Sequence, residues 1–220
     1  DKKSNNNEIL KPTITKKEFI DKTLTFNNNE NEIILQKIKA KCNFILTDKE
    51  IANGIHPHYD YVSKKTLINL GSNFKVGQGI FVINNIEKKN LNFNDAELKL
   101  IKPYFTTNQL HKWYGISKNE EWIIYTGSKF KNEENIKPFP NIKSHLDQFK
   151  DIITSDNKPY GLHRAREESF FKGEKIITLR KCVGEPKFTY TDFDCYVSAT
   201  FYVIKTQRLN QNAWRNSPCY

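Results

Sequence analysis

The chain is organised around residues 157–181, NKPYGLHRAREESFFKGEKIITLRK, in which an arginine-rich segment is followed by a β-rich run. The chain has only five arginines, and three of them lie here: Arg164, Arg166 and Arg180. Arginine can bind phosphate or guanine through two parallel hydrogen bonds. Aromatic rings alternate with these cations: Tyr160, His163, Phe170 and Phe171. Cations interleaved with rings are typical of a nucleic-acid-binding surface.

The same stretch has a second interpretation. It could form a solvated charged hairpin in which Arg164 and Arg166 pair with Glu167 and Glu168. Between residues 157 and 187, eight basic and four acidic side chains leave a net charge of +4. The sequence alone leaves both interpretations open.

Composition narrows the class of protein. The chain has 220 residues and a mass of 25.8 kDa, and 37% of its residues are hydrophobic and 13% aromatic. This is enough to fill the core of one large domain or two small ones. A net charge of +10 indicates a polyanionic partner, although a lysine- and asparagine-rich coding bias would also produce it. No apolar run is long enough to span a bilayer. The four cysteines lack metal-ligand spacing, which predicts reduced thiols in a cytoplasmic protein.

Hydrophobic periodicity predicts an α+β fold, a single mixed domain with helices mainly in the first half and antiparallel-type strands mainly in the second. The predicted helices are 32–41, a short one from the capping box at Thr47, 94–101 and 141–150. The predicted strands are 80–83, 122–125, 175–179, 188–191 and 195–204. We divide the chain into a lead-in with one or two helices (1–44), a main domain (45–206) and a polar tail (207–220). Because it begins at Asp1 rather than Met, we expect a piece of a longer protein.

Ile55 to Tyr61 reads Ile-His-Pro-His-Tyr-Asp-Tyr and predicts a polar, aromatic loop, since Pro57 blocks regular structure. Two alternating histidines could bind a metal, but paired loop histidines more often form hydrogen bonds, so we predict no metal site.

Catalytic motifs are missing. GxSxG, HExxH, Walker A and GxGxxG do not occur, and Gly77-Gln-Gly79 lacks the third glycine of a nucleotide loop. The alternative to a binding module is a metal-dependent nuclease. Its metal would have to be held by Glu174 with Lys175, or by Asp192 with Asp194. We therefore predict that this chain is not itself an enzyme.

Several runs, taken in order, resemble one family. They are 51–55 (IANGI), 74–82 (FKVGQGIFV), 100–105 (LIKPYF), 122–125 (WIIY), 140–146 (PNIKSHL), 160–166 (YGLHRAR), 175–177 (KII) and 195–204. The set resembles the TaqI-like C-terminal specificity domain of adenine-specific restriction-modification methyltransferases, including type IIG enzymes. Such a resemblance covers residues 45–205 and leaves 207–220 unmatched.

The resemblance implies a target recognition domain that binds double-stranded DNA in the bacterial cytoplasm. A separate catalytic domain of the same parent chain would bind S-adenosylmethionine and methylate N6 of a flipped adenine. No cofactor is expected in this chain. A general nucleic-acid-binding or protein-interaction module remains a further alternative.

The candidate DNA-binding residues follow from the basic stretch and from the resemblance together. Arg164 and Arg166 are the candidates for base edges or phosphates. The remaining members of the basic stretch are candidates for phosphate contact or for the DNA-facing surface: Lys158, Tyr160, His163, Lys172, Lys175 and Arg180. Loop residues are second candidates for reading bases: His56, His58, Tyr59 and Lys64. For Tyr59 and Tyr160, simple packing is the alternative.

Overall fold

The computed structural model describes residues 29–42, 45–111, 113–182 and 184–207. Two compact units divide the chain, the first ending at Ile45 and the second beginning at Leu46. In the first unit, helix α1 (Asn29–Lys41) contains the helix predicted over 32–41, which is confirmed. The rest of the predicted lead-in, residues 1–28, and the tail from 208 onward lie outside the described residues.

The second unit combines short helices with two sheets, which confirms the predicted α+β class. Its helices are α2 (Lys64–Leu70), α3 (Asn85–Asn90), α4 (Asp95–Leu98) and α5 (Pro140–Asp147). Its strands are β1 (Ile51–Asn53), β2 (Val82–Asn84), β3 (Ile101–Phe105), β4 (Trp113–Tyr114), β5 (Glu121–Ile124), β6 (Lys175–Leu179), β7 (Phe188–Thr191), β8 (Tyr196–Val197) and β9 (Phe201–Ile204).

Five strands form one sheet in the order β1-β9-β6-β7-β4, and four form the other in the order β2-β5-β3-β8. All pairings are antiparallel except β3 with β8 and β4 with β7. One apolar cluster joins the two sheets and α5, since it contains Ile177 and Val203 from the first sheet, Ile123 from the second and Leu146 from the helix. Burial of these side chains supplies the main stabilisation of the unit.

The predicted strand over 195–204 is divided in the structure. Its first part is β8 in the four-stranded sheet, and its second part is β9 in the five-stranded sheet. Between them the chain turns at Ser198–Thr200, where the two hydroxyl groups lie 2.5 Å apart. The end of β1 is held against this crossover, because Ile55 donates its backbone N–H to the Val197 carbonyl and Gly54 donates to the Phe201 carbonyl.

The helix predicted at Thr47 does not form. One hydrogen bond of the predicted capping box is present, because the Thr47 backbone N–H donates to Glu50 Oε2 at 3.0 Å. The chain nevertheless turns and continues as β1, because Ile51–Asn53 pairs with β9. Pairing in the sheet therefore overrides the local helix signal.

α4 and α5 are joined through one buried carboxylate, Glu97. It caps α4 together with Asn94, and it also accepts from the first turn of α5 through Asn141 and Ile142. None of the described helices is both long and apolar enough to cross a membrane.

Candidate nucleic-acid interface

One end of the five-stranded sheet gathers residues that are far apart in sequence. The register pairs Asn53 with Tyr202 and Leu179 with Phe201. The backbone that follows β1, the backbone that follows β6 and the backbone that precedes β9 therefore leave the sheet at the same end. We call this end of the sheet, with Arg164, Arg166 and Arg180, the basic end.

Arg180 is fixed at the basic end by backbone groups. It directly follows β6, and its own N–H donates to the Thr200 carbonyl at 2.9 Å. Its guanidinium Nη1 donates to the Ala199 carbonyl at 2.9 Å, and the guanidinium Cζ lies 5.5 Å from the centroid of the Tyr202 ring. The side chain remains exposed, so most of its donors still face solvent.

A tight turn delivers Arg164 to the same place. Asn157 Nδ2 donates to the carbonyls of Leu162 and His163, at 2.8 and 3.2 Å. Gly161 is needed in this turn, because an added Cβ would lie 2.8 Å from the Asn157 carbonyl oxygen and 2.9 Å from that of Gly127. The chain then runs beside the loop after β1.

There Arg164 and His56 exchange two backbone hydrogen bonds of 3.0 Å in an isolated antiparallel bridge. Two residues later, Arg166 Nε reaches the Gly54 carbonyl at 3.5 Å. The arginines of the turn are thus attached to the end of β1, beside the crossover that holds Arg180.

The charges of the other two arginines act on the Arg166 guanidinium. Burial lowers the pKa of Arg166, and the charges of Arg164 and Arg180 lower it further. Within the part of the chain that the structure describes, no ion pair involves any of the three. The hairpin interpretation, with pairing to Glu167 and Glu168, is therefore not what the structure has.

Glu168 is instead occupied by other groups. It accepts from Tyr196 Oη at 2.6 Å and from Lys102 Nζ at 2.9 Å, and it lies 3.3 Å from Lys172 Nζ. Burial alone would raise the pKa of Glu168, but these donors hold it at about 2. Lys172 is thus partly neutralised, whereas the three arginines are not.

Three histidines lie beside the arginines. The ring of His163 lies 5.2 Å from that of His56 and 5.5 Å from that of His58, measured between centroids. Tyr59 extends the group, with its ring centroid 4.6 Å from that of His58. We call His56, His58 and His163 the histidine cluster. The sequence placed the first two in one loop and the third in another stretch, and the structure brings all three together.

Two residues of this region have left-handed backbone conformations. The φ angles are 85° at His58 and 69° at Arg166, although neither is glycine. Such a conformation costs an L-residue about 1–2 kcal/mol. Tyr125 helps to hold one of them, because its hydroxyl donates to the Arg166 carbonyl at 2.7 Å. Strained backbone of this kind tends to occur at functional sites.

Two predicted site residues, Tyr160 and Lys175, are buried. The Tyr160 hydroxyl donates to Asp147 Oδ1 at 2.6 Å, so this residue packs in the interior, as the alternative interpretation of Tyr160 predicts. Lys175 donates its Nζ to the carbonyls of Gly173 and Phe193, at 2.7 and 2.6 Å, and burial lowers its pKa to about 8. Neither polar group reaches the surface, and we leave both residues out of the candidate site.

The remaining predicted lysines are exposed but lie on separate segments. Lys64 is the first residue of α2, directly after the N-cap Ser63, and Lys158 belongs to the turn before Tyr160. Their proposed contacts with phosphate stay predictions.

Sequence reasoning omitted two exposed lysines from the candidate site, Lys181 and Lys187. Both lie in the connection between β6 and β7, which leaves the sheet at the basic end. A signal was available, because strands 175–179 and 188–191 were both predicted correctly and a hairpin connection must place its residues at one end of a sheet. Val183, inside this connection, is outside the described residues.

The residues proposed for other chemistry have structural partners. Glu174 accepts from the Tyr190 hydroxyl at 2.7 Å, and Asp194 accepts from the Gly173 N–H at 3.1 Å. Among the described residues, no group of three or more His, Cys, Asp or Glu side chains is arranged to hold a metal ion.

Comparisons with known proteins give little further information. No protein-family model matches the chain, and no curated protein matches it. Among solved structures, the chain is similar to a Type IIL restriction-modification enzyme, MmeI, in complex with DNA, with 10% sequence identity and a TM-score of 0.46. The similarity covers 71% of this chain and 19% of that one, so this chain spans about a fifth of that enzyme's length. We take no residue role from so distant a likeness.

Proposed function

We propose that this chain binds double-stranded DNA through the basic end of its five-stranded sheet. The observation that carries the proposal is the convergence of Arg164 and Arg166 from one segment and Arg180 from another, with no carboxylate partner among the described residues. Holding like charges together is unfavourable, and a polyanion relieves the repulsion.

The spacing of the strands suits a duplex. β1 and β6 are separated by β9, so their ends lie about 10 Å apart at the usual distance of about 4.8 Å between strands. That separation is comparable with the major groove of B-DNA, which is about 12 Å wide. Arg164 and Arg180 can therefore contact neighbouring parts of one groove, with Lys181 and Lys187 available for phosphates.

The rings of the histidine cluster add a second kind of contact. His56 and His58 are exposed, and the ring of Tyr59 lies against that of His58. Aromatic and imidazole rings can stack on bases or donate hydrogen bonds to base edges, whereas phosphate contacts alone carry no sequence information. The arrangement of free arginines beside exposed rings supports sequence-specific rather than purely electrostatic binding.

More specifically, we propose that the chain is the target recognition half of an adenine-N6 methyltransferase of a bacterial restriction-modification system. The ordered runs that resemble the TaqI-like specificity domain support this assignment. On this proposal, a catalytic domain of the same parent chain binds S-adenosylmethionine and acts on the flipped adenine in the cytoplasm.

A direct test compares two variants of equal charge. Arg164, Arg166 and Arg180 are replaced together by Gln in the first, and Lys99, Lys118 and Lys137, exposed on other segments, in the second. Fluorescence anisotropy with a labelled duplex should show at least about tenfold weaker binding by the arginine variant and a much smaller loss in the lysine variant, since each good base contact is worth about 1–3 kcal/mol.

Circular dichroism spectra of both variants check that the fold is retained. Equal losses in the two variants would mean that net charge, and not the basic end, governs binding. Tighter binding of structured RNA than of the duplex in competition would favour an RNA-binding module instead.

A further inference from the structure

The histidine cluster is a compact group of titratable rings. Its three imidazole centroids are 5.2 to 6.2 Å apart. Loop residues 56 and 58 supply two rings, and the turn that ends at Arg164 supplies the third. The backbone bridge between His56 and Arg164 ties the two segments together, so the spacing of the rings is set by the fold.

The charged groups that act on His56 are all basic. Burial lowers the pKa of His56, and His163, His58, Arg164 and Arg166 each lower it further. Tyr59 contributes a neutral ring. Among the described residues, no carboxylate shifts the pKa of His56 and no ion pair involves this ring.

The cluster also leaves one polar atom without a partner. His163 Nδ1 is buried and makes no hydrogen bond among the described residues. A buried nitrogen of this kind is costly unless a partner arrives. The geometry therefore combines closely spaced imidazoles, adjacent guanidinium groups and an unsatisfied ring nitrogen at one place.

We propose that the histidine cluster takes up at least one proton when a nucleic-acid phosphate binds at the basic end, so that affinity for DNA rises as the pH falls. The inference rests on the proposed function, because it names the regulation of the same site. The only bonds that change are those of the proton: an O–H bond of a hydronium ion breaks, an imidazole N–H bond forms, and the phosphate oxygen accepts a hydrogen bond from that N–H. A phosphate supplies the negative charge that the fold does not place beside these rings.

Linkage sets the size of the effect. Each proton taken up on binding strengthens the affinity by about tenfold per pH unit across the range in which the free imidazole is neutral and the bound one is charged. For the free protein that range begins below the usual histidine pKa of about 6.5, since burial and then the neighbouring cations lower the pKa of His56.

The test measures the dissociation constant for a labelled duplex at constant ionic strength from about pH 6 to about pH 8, the range in which histidines titrate. Wild-type protein should bind at least about tenfold more tightly at the lower pH. Replacement of His56, His58 and His163 by Gln should remove most of this gain, whatever the affinity of the variant at high pH.

Asp60→Asn is the matched control. Burial, and then the charge of Glu121, raise the pKa of Asp60 to about 6, so this carboxyl titrates in the same range without belonging to the histidine cluster. The Asp60→Asn variant should still bind duplex more tightly at low pH, by the same factor as wild type. The proposal would be overturned if Asp60→Asn lost the increase in duplex affinity at low pH while the histidine variant kept it.

A spectroscopic measurement covers the case in which the histidine variant fails to fold. In the wild-type protein, imidazole NMR signals of the cluster should titrate at higher pH when duplex is present. The signal of His145 should not move, because that ring is buried and hydrogen-bonded to the Ile80 carbonyl. Tight, pH-independent duplex binding would refute proton coupling and leave DNA binding intact, whereas failure to bind duplex at any pH would refute both.

Discussion

Glu97→Gln should be strongly destabilising, because the Glu97 carboxylate is wholly buried and accepts four hydrogen bonds. Oε1 accepts from the backbone N–H groups of Asn141 and Ile142, at 2.6 and 3.2 Å. Oε2 accepts from the Asn94 N–H at 2.9 Å and from the Asn141 amide at 2.8 Å. The carboxylate thereby ties α4 to the first turn of α5.

The magnitude follows from these four bonds. Glutamine has nearly the same shape as glutamate but only one side-chain oxygen, and its NH₂ group would face two donors. Two buried donors would lose their acceptor, at about 1–3 kcal/mol each, so the free energy of unfolding should fall by about 2–6 kcal/mol. Many domains have a total stability of only about 5–15 kcal/mol.

Urea denaturation followed by tryptophan fluorescence measures the loss. Glu87→Gln is the matched control, since Glu87 forms the same capping box at α3 but is only half-buried and accepts from two N–H groups, those of Gly79 and Asn84. We expect the control to lose about 1 kcal/mol, as is usual for a helix cap. A loss at Glu97 no larger than that at Glu87 would refute the role assigned to the buried carboxylate.

The same residue should also contribute to acid sensitivity. Burial by itself raises the pKa of Glu97, but hydrogen bonds from Asn141, Asn94 and Ile142 bring it below the usual 4.5. Because the folded pKa is depressed, the stabilisation is present above pH 4.5 and is lost as the pH falls through the folded value. The unfolding free energy of wild type should therefore fall in acid more steeply than that of Glu97→Gln.

Three further outcomes are expected. His58→Gly should be more stable than His58→Ala by about 1 kcal/mol in thermal unfolding, since only glycine adopts the left-handed backbone without cost; equal stability would exclude strain there. Asp60→Asn should stabilise the protein at pH 7.5 by up to about 3 kcal/mol. Folding raises the pKa of Asp60 from 3.8 to about 6, so the wild-type protein loses stability as the pH increases through that range, and the variant does not. The gain should vanish below pH 3.8, where Asp60 is protonated in both states. Gly54→Ala should lower the unfolding free energy, since a Cβ would lie 2.0 Å from the Ser198 carbonyl oxygen, and an unchanged urea midpoint would contradict that contact.

Local signals predicted much of the fold. Strands 175–179 and 188–191 were predicted with their observed ends, because β-rich runs bounded by turns leave little ambiguity. The cap at Asn94 likewise identified α4. Periodicity could not show that 195–204 divides between two sheets, since alternation continues across Ser198–Thr200 and only pairing with distant strands reveals the break.

The candidate site was predicted only in part, again because long-range contacts are not visible in the sequence. The arginines of 157–181 stood out by composition, but their union with the loop after β1 depends on the long-range bridge between His56 and Arg164. Tyr160 and Lys175 belong to the same basic stretch, yet the turn and strand that carry them direct both side chains into the interior. Sequence reports the charges of a stretch, and packing determines which of them remain accessible.

The dependence of duplex affinity on salt tests the central claim most directly. If Arg164, Arg166, Arg180, Lys181 and Lys187 all contact phosphates, log K should fall with log salt concentration with a slope of about −4.5. Replacing the three arginines by Gln should reduce the slope by about 2.7. A wild-type slope near zero, or an arginine variant in which both the slope and the affinity are unchanged, would contradict a DNA-binding surface at the basic end.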